Sequence, residues 1–335
     1  MQCRESLAVA VLAVSMQKRS KDMSKMRLIS MIATAAAFLA APDMAGAGGA
    51  PASEDKAVAP IVRKGSVPVN GIDYYYEIRG EGEPLLLLHG GLGQIEMFAP
   101  VMPVFADHRQ VIAVDLQGHG RTPLGNRPID LAAISADLAI LVKQLGYDKL
   151  DVFGYSFGGG VALNMAANAP DQVRRLVILS APYAQNGFFP EMLPQQAAVG
   201  AGMAEMMKDT PMFLSYKAVA PDVSEFPKLL DAMGALMREP KDYSDAVAKL
   251  TMPVMLIYGD ADMIRPEHII DFYHKLGGGL RDAGWMRENM SKNRLAILPD
   301  LTHYETFASP LMANVAMTFL DGGGKTPNWA EQVGK

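Results

Sequence analysis

The stretch 152–159, Val-Phe-Gly-Tyr-Ser-Phe-Gly-Gly, constrains the fold of this chain more than any other. It indicates a buried strand that breaks at Ser156 and continues as a helix, the Gly-x-Ser-x-Gly pattern of a nucleophile elbow. Such a turn strains the serine backbone and leaves no room for side chains at Gly154 and Gly158. The alternative, from these residues alone, is a serine in an ordinary glycine-rich turn, so the context of Ser156 decides.

Short apolar segments alternate with amphipathic ones along most of the chain. Wholly apolar strands indicate burial on both faces, as in a parallel sheet covered by helices. The pattern therefore predicts an α/β fold with a mostly parallel sheet. A hairpin with an Asn-Gly turn is predicted at 67–78. Strands are predicted at 84–88, 110–116, 150–153, 175–180, 253–258 and 294–298, and helices at 131–145, 157–168, 266–276 and 310–320.

Residues 183–250 interrupt this alternation, because they are helical in pattern, rich in methionine and without a convincing strand. We interpret them as a helical cap inserted into a core made of 66–182 and 251–321; the alternative is a set of ordinary surface helices. A smaller insertion, 277–290, indicates a structured loop, and residues 322–335 form a C-terminal tail.

The N-terminal region differs in composition from the rest. A basic cluster precedes an apolar run at 28–41, and Ala-Gly-Ala follows at 45–47, which is the order of a secretory signal peptide. We therefore expect residues 1–47 to be removed and the protein to be exported, periplasmic or secreted; the alternative is an N-terminal anchor helix. Residues 48–65 are interpreted as a flexible linker. The only cysteine, Cys3, lies in the leader, so the exported body has no disulfide.

Composition limits the classes of ligand and partner. The 335 residues are half hydrophobic, carry a formal net charge of −5 and contain no basic patch of the kind that would neutralise phosphates, so we do not expect nucleic acid as a partner. The histidines are scattered, cysteine ligands are lacking and no phosphate-binding loop is visible, so we expect no metal and no cofactor. The apolar run is too short for a comfortable membrane span. The oligomeric state is not predicted.

A serine nucleophile needs a base within hydrogen-bond reach, and the base needs a carboxylate to orient it. His303 follows the strand predicted at 294–298, at the carboxyl edge of the sheet where ligands bind in such folds. Two acids, Asp260 and Asp262, follow the strand at 253–258 at the same edge. The chain order is therefore serine, aspartate, histidine.

The chain resembles the α/β-hydrolase superfamily, in its capped and cofactor-independent branch, over residues 67–320. The resemblance rests on five motifs in order: His-Gly-Gly at 89–91, Asp-Leu-Gln-Gly-His-Gly at 115–120, Gly-Tyr-Ser-Phe-Gly at 154–158, Gly-Asp-Ala-Asp at 259–262 and Thr-His at 302–303. It implies Asp262 as the catalytic acid, with Asp260 as a loop residue or an ion-pair partner of Arg265.

The same resemblance implies an oxyanion hole made by the backbone amides of Phe157 and Gly91, with Leu92 as the alternative to Gly91. Haloalkane dehalogenases and epoxide hydrolases of the superfamily carry an aspartate nucleophile, so Ser156 argues against both activities. The loop at 118–122 is mainly structural in the family, which implies no catalytic role for His119.

A substrate pocket between the sheet edge and the cap would be lined by apolar residues. Methionine adapts its shape, so a bulky or varied apolar substrate is expected; the alternative is that these residues form the cap's own core. The predicted lining is Leu92, Phe188, Phe189, Met192, Met207 and Met212. We expect a serine hydrolase, carboxylesterase-like, that acts on an ester, lactone or thioester. The rivals are carbon–carbon bond hydrolysis, cofactor-free perhydrolase chemistry and a non-catalytic ligand receptor.

Overall fold

A mixed sheet organises the chain in the computed structural model, which describes residues 59–323. The described strands are β1 (Ile61–Val69), β2 (Ile72–Arg79), β3 (Glu83–Leu88), β4 (Arg109–Val114), β5 (Leu150–Tyr155), β6 (Val173–Leu179), β7 (Val254–Ala261) and β8 (Arg294–Thr302). Their spatial order is β1-β2-β4-β3-β5-β6-β7-β8, and β2 alone runs against its neighbours. The predicted mostly parallel sheet is confirmed.

Helices cover both faces of the sheet, which explains why its central strands are apolar throughout. Within 59–323 they are α1 (Met102–Ala106), α2 (Leu131–Gln144), α3 (Phe157–Asn168), α4 (Met192–Ala197), α5 (Ala204–Met207), α6 (Pro211–Val219), α7 (Phe226–Arg238), α8 (Ser244–Ala248), α9 (Pro266–Lys275) and α10 (Pro310–Leu320). Leu86 and Leu88 of β3 face a core with α2, α3 and α9, whereas Leu85 and Leu87 face a core with α1 and α10. The alternation of side chains along a strand separates the two cores.

The N-terminal hairpin begins earlier than the sequence predicted. Its turn uses Asn70 and Gly71 at φ values of 48° and 82°, as the turn chemistry predicted. The linker expected at 48–65 is wrong at its C-terminal end, because residues 61–65 belong to β1 and nearly all of them pair with β2. The predicted signal peptide at 1–47 and most of the predicted tail at 322–335 lie outside the described residues.

Helices α4 to α8 occupy the chain between β6 and β7. The two ends of this segment meet in a short antiparallel neck: Ala184 bridges Asp242, and the backbone amide of Tyr243 donates to the Tyr183 carbonyl at 2.7 Å. Beyond the neck, α8 packs on α3, the helix that follows Ser156. The inserted chain thus leaves and rejoins the sheet domain at one point, near the carboxyl ends of β6 and β7.

Candidate active site

Ser156 lies at the break between β5 and α3. Its backbone has φ 51° and ψ −114°, a strained conformation for a residue with a side chain. A Cβ atom on Gly154 would overlap the Gly158 carbonyl, and one on Gly158 would overlap the His89 carbonyl. The glycines of the motif are therefore required by close backbone approach, and they let the sharp turn present the Ser156 hydroxyl at the sheet edge.

Three residues from three different loops form a hydrogen-bonded chain at this edge. His303 Nε2 lies 3.0 Å from Ser156 Oγ, and His303 Nδ1 lies 3.0 Å from Asp262 Oδ1. A carboxylate only accepts hydrogen bonds, so Nδ1 carries the proton that it donates to Asp262. The bare Nε2 is then free to accept from the serine hydroxyl, which is the arrangement a general base needs.

The carboxylate of Asp262 is buried, and its surroundings keep it ionised. Burial alone raises the pKa of Asp262, but the hydrogen bond from His303, the charge that this ring gains when protonated, and the hydrogen bond from Ser180 bring the pKa below its usual value. Ser180 Oγ donates to Asp262 Oδ2 at 2.5 Å. Both oxygens of the carboxylate thus have a donor, which fixes its orientation toward the imidazole.

Two hydroxyl groups contact the backbone carbonyl of His303. Tyr155 donates its phenol hydrogen to the His303 carbonyl at 2.7 Å, and Thr306 Oγ1 contacts the same carbonyl at 3.3 Å. Sequence reasoning missed Ser180, Tyr155 and Thr306. Tyr155 occupies the variable position of the Gly-x-Ser-x-Gly pattern and Ser180 directly follows β6, but neither position marks a partner without the sheet order.

The loop after β3 is fixed against the elbow by its own histidine. The amide of Leu116 donates to His89 Nε2 at 2.9 Å, so His89 Nδ1 is protonated and donates to the Gly90 carbonyl at 2.7 Å. Burial, with a smaller effect of neighbouring His119, lowers the pKa of His89 to about 3 and keeps the ring neutral. Gly91 is thereby held beside Phe157, whose Cβ lies 3.7 Å from the position of a Cβ on Gly91.

The residues predicted to line a pocket are not all brought to this site. Phe188 bridges Ile264, and the amide of Phe189 donates to the Met263 carbonyl at 3.2 Å, so this pair lies beside the loop that carries Asp262. Leu92 follows Gly91 directly and has a φ of 58°. Met207 and Met212 pack against the hydrophobic core, and Met192 begins the partly exposed helix α4.

Sequence reasoning missed a methionine that packs against the loop of Gly91. The Cε atom of Met233, in α7, is 2.9 Å from the position of a Cβ on Gly91. One turn earlier in the same helix, Leu229 lies 3.1 Å from the equivalent position on Gly118. The signal was the spacing of Phe226, Leu229, Leu230 and Met233 on one buried face, which predicts a packed helix but not what it packs against.

Two other sequence interpretations have definite outcomes. His119 is buried, donates Nδ1–H to the Gln117 carbonyl at 2.8 Å and stacks on Phe157, outside the hydrogen-bonded chain of Ser156. Asp260 accepts from the Leu301 amide at 3.3 Å, whereas Arg265 donates to the Asn186 carbonyl. The suggested pairing of Asp260 with Arg265 was therefore wrong, because each of these side chains has a backbone partner instead.

Between residues 59 and 323, no group of three or more His, Cys, Asp or Glu side chains is placed to hold a metal ion. No helix in that range has the length and apolar character needed to cross a bilayer.

Comparison with known proteins agrees with this architecture. A family model described as the alpha/beta hydrolase fold matches residues 83–210. The pimeloyl-[acyl-carrier protein] methyl ester esterase of Neisseria meningitidis is 31% identical over 258 residues, which cover 71% of this chain and 92% of that enzyme. The chain belongs to the α/β-hydrolase superfamily.

Solved structures resemble the chain in fold. The enol-lactonase of Burkholderia xenovorans LB400 superposes with a TM-score of 0.59 at 18% identity, covering 77% of this chain and all of that one. A thermophilic esterase of Thermogutta terrifontis gives a TM-score of 0.59 at 22% identity, covering 78% of this chain and 98% of that one. At these identities the likeness concerns the fold alone.

Proposed function

We propose that the protein is a serine hydrolase that cleaves a carboxylic ester, lactone or thioester of an apolar small molecule. Ser156 Oγ attacks the carbonyl carbon while His303 Nε2 takes its proton. The imidazolium then gives that proton to the leaving oxygen or sulfur, and an acyl-enzyme remains. His303 deprotonates a water molecule that attacks the acyl carbon, and Ser156 Oγ regains a proton as the acid departs.

The observation that carries this proposal is the unbroken chain Ser156–His303–Asp262, with 3.0 Å at both links. A serine in an ordinary turn does not combine a strained backbone with an unprotonated imidazole nitrogen and a buried carboxylate. Activation of a serine nucleophile requires such a base and acid. Asp262 holds the tautomer that leaves Nε2 unprotonated and stabilises the imidazolium formed during attack.

We assign the oxyanion hole to the backbone amides of Phe157 and Gly91. The developing negative charge needs donors that are already in place, and removal of one donor costs about 3 kcal/mol of barrier. Gly91 lies against Phe157 because His89 fixes its loop through Leu116 and Gly90. Rigid attachment of the loop supplies the preorganisation that such donors require.

The inserted helices α4 to α8 form, in this proposal, a cap over the substrate. Three features support it: the neck at Ala184 and Asp242, the contact of Met233 with the loop of Gly91, and the backbone bonds that join Phe189 to the loop of Asp262. Residues 1–47 are proposed as a signal peptide, which would place the enzyme in the periplasm or outside the cell, on the basis of the basic cluster followed by an apolar run.

The curated relative described above favours ester chemistry over the rivals on the same scaffold. It is a methyl ester esterase that is 31% identical to this chain over 258 residues. A meta-cleavage product hydrolase of Pseudomonas fluorescens shares the fold at 18% identity, so carbon–carbon bond hydrolysis is the rival to be tested first.

The test is labelling by a fluorophosphonate probe together with a substrate panel. We expect the probe to label the wild-type protein and not Ser156→Ala, and expect p-nitrophenyl esters to be hydrolysed in preference to a vinylogous diketone or to peroxide with acetate. Ser135→Ala is the control for loss of a serine hydroxyl, because Ser135 is buried in α2 and bonds the Ala132 carbonyl of its own helix. A wild-type protein that is neither labelled nor active on any of these substrates would refute the proposal and favour the ligand-receptor alternative.

A further inference from the structure

A methionine side chain from α7 packs against the loop beside the elbow. Met233 is 1% exposed, and its Cε atom lies 2.9 Å from the position of a Cβ on Gly91, where the Cβ of Phe157 is also near at 3.7 Å. These are the two residues whose amides are proposed to hold the oxyanion, so the thioether occupies space that borders the reacting carbonyl group. A substrate that bonds to Ser156 must share this space with the Met233 side chain.

Met233 is held in place because α7 is fixed at several points. A Cβ on Gly234 would overlap the Val199 carbonyl, so α7 approaches the preceding chain as closely as its backbone allows. Arg238 Nη1 donates to the same carbonyl at 3.1 Å. The helix before α7 is tied to the core as well, since Gln94 Nε2 donates to the Ser215 carbonyl at 2.6 Å. We therefore expect a bound substrate to displace the Met233 side chain and to leave the backbone of α7 in place.

The order of strands indicates which part of the substrate meets Met233. Ser156 follows β5, the loop of Gly91 follows β3 on one side of β5, and His303 follows β8 on the other side. The leaving group must lie beside His303 Nε2 to receive its proton. The carbonyl oxygen points to the amides of Gly91 and Phe157, so we place the acyl group on the remaining side of the carbonyl carbon, away from His303 and within reach of the Met233 side chain.

We propose that Met233 sets the upper size of the acyl group, so that the enzyme prefers esters of short, unbranched acids. The inference rests on the proposed serine hydrolase function and concerns the same site. Met233 acts by occupying volume, and it takes no part in proton transfer or charge stabilisation. Because methionine is flexible, the limit is graded: kcat/KM falls progressively as the acyl chain lengthens.

The experiment measures kcat/KM for p-nitrophenyl acetate, butyrate, hexanoate and 2-methylpropionate, which share one leaving group. We expect Met233→Ala to raise the ratio of hexanoate to acetate by about tenfold, the scale at which apolar pockets discriminate methylene groups. Met233→Phe should lower the same ratio. If Met233→Ala does not fold, Met233→Val removes less volume and carries the same prediction with a smaller change.

Leu229→Ala is the matched control, because Leu229 lies on the same face of α7 with the same 1% exposure but contacts Gly118 instead of Gly91. It should weaken the helix equally and leave the acyl preference unchanged. An active, probe-labelled wild-type enzyme whose preference is unmoved by Met233→Ala, or moved equally by Leu229→Ala, refutes this inference while the serine hydrolase function stands. A wild-type protein without labelling or esterase activity overturns both.

Discussion

Ser180→Ala removes a hydrogen bond that no sequence motif identified. The Ser180 hydroxyl is fully buried and donates to Asp262 Oδ2 at 2.5 Å. A hydrogen bond to a charged group contributes about 1.5–3 kcal/mol to the free energy of unfolding. A buried acceptor that loses its donor also keeps the full desolvation penalty. Ser180 already has a φ of 51°, so alanine adds no backbone strain of its own. We expect the free energy of unfolding at pH 7 to fall by about 2 kcal/mol.

The loss of stability caused by Ser180→Ala should depend on pH. Ser180 is one of the groups that lower the pKa of Asp262. A carboxyl group with a lowered pKa stabilises the folded state at pH values above its unfolded-state pKa of about 4, and this stabilisation is lost as the pH falls through its folded-state pKa. The stability difference between wild type and Ser180→Ala is therefore full at pH 7 and narrows below about pH 4. We also expect kcat to fall about tenfold, equivalent to about 1.4 kcal/mol of transition-state stabilisation.

Urea denaturation followed by far-ultraviolet circular dichroism, repeated from pH 3 to pH 8, measures the stability difference. Ser135→Ala is the control, because its hydroxyl bonds a neutral carbonyl at 2.8 Å and no ionised group. It should cost less than about 1 kcal/mol with no dependence on pH. The reasoning is refuted if Ser180→Ala is as stable as wild type at pH 7, or if its deficit is the same at pH 3.

Three further outcomes follow from the contacts. Asp262→Asn should lower kcat by about 10⁴-fold and Asp260→Asn by only a few-fold, because only Asp262 bonds the imidazole of His303. Initial rates of ester hydrolysis measure both effects, and the reverse order would contradict the assignment of Asp262. Asp151→Ala should destabilise the protein by about 3–5 kcal/mol, because it leaves buried Arg109 with only its exposed partner Asp321, directly after α10. Activity per probe-labelled molecule should stay constant, and a urea midpoint unchanged from wild type speaks against this reasoning. His119→Phe should keep kcat within about threefold, because the ring stacks on Phe157 and its Nε2 has no hydrogen-bond partner among residues 59–323. A 100-fold loss of kcat would assign His119 to catalysis.

Local sequence was sufficient where the structure is local. The strand–turn–helix at Ser156 follows from an apolar run and two glycines that lie within five residues of one another, and α3 begins and ends at Phe157 and Asn168 as predicted. The strand β8 was predicted to end at Leu298 but continues to Thr302, because the register with β7 shifts beyond Gly259. That irregular extension brings His303 to the site, and no periodicity marks it.

Elements stabilised by distant partners were the ones that the sequence did not show. Residues 61–64 of β1 are exposed and have no apolar alternation, so only their ladder with β2 makes them a strand. Arg109 and Asp151 form a buried ion pair across 42 residues, which composition alone does not reveal. Pairing of this kind depends on strand order, which is a property of the whole sheet.

The amino-acid sequence by itself determined the α/β class and the strained serine, because both depend on short spacings and on which residue types bury well. It also contains the three polar residues in the order serine, aspartate, histidine. The tertiary structure decided which aspartate reaches His303, that Ser180 completes its carboxylate, and that Met233 closes the space over Gly91. Those contacts join residues that lie far apart in the chain, at distances set by how strands are ordered and how α7 packs. The turn at Ser156 is therefore encoded locally, whereas the residues that act with Ser156 are brought to it by the assembled fold.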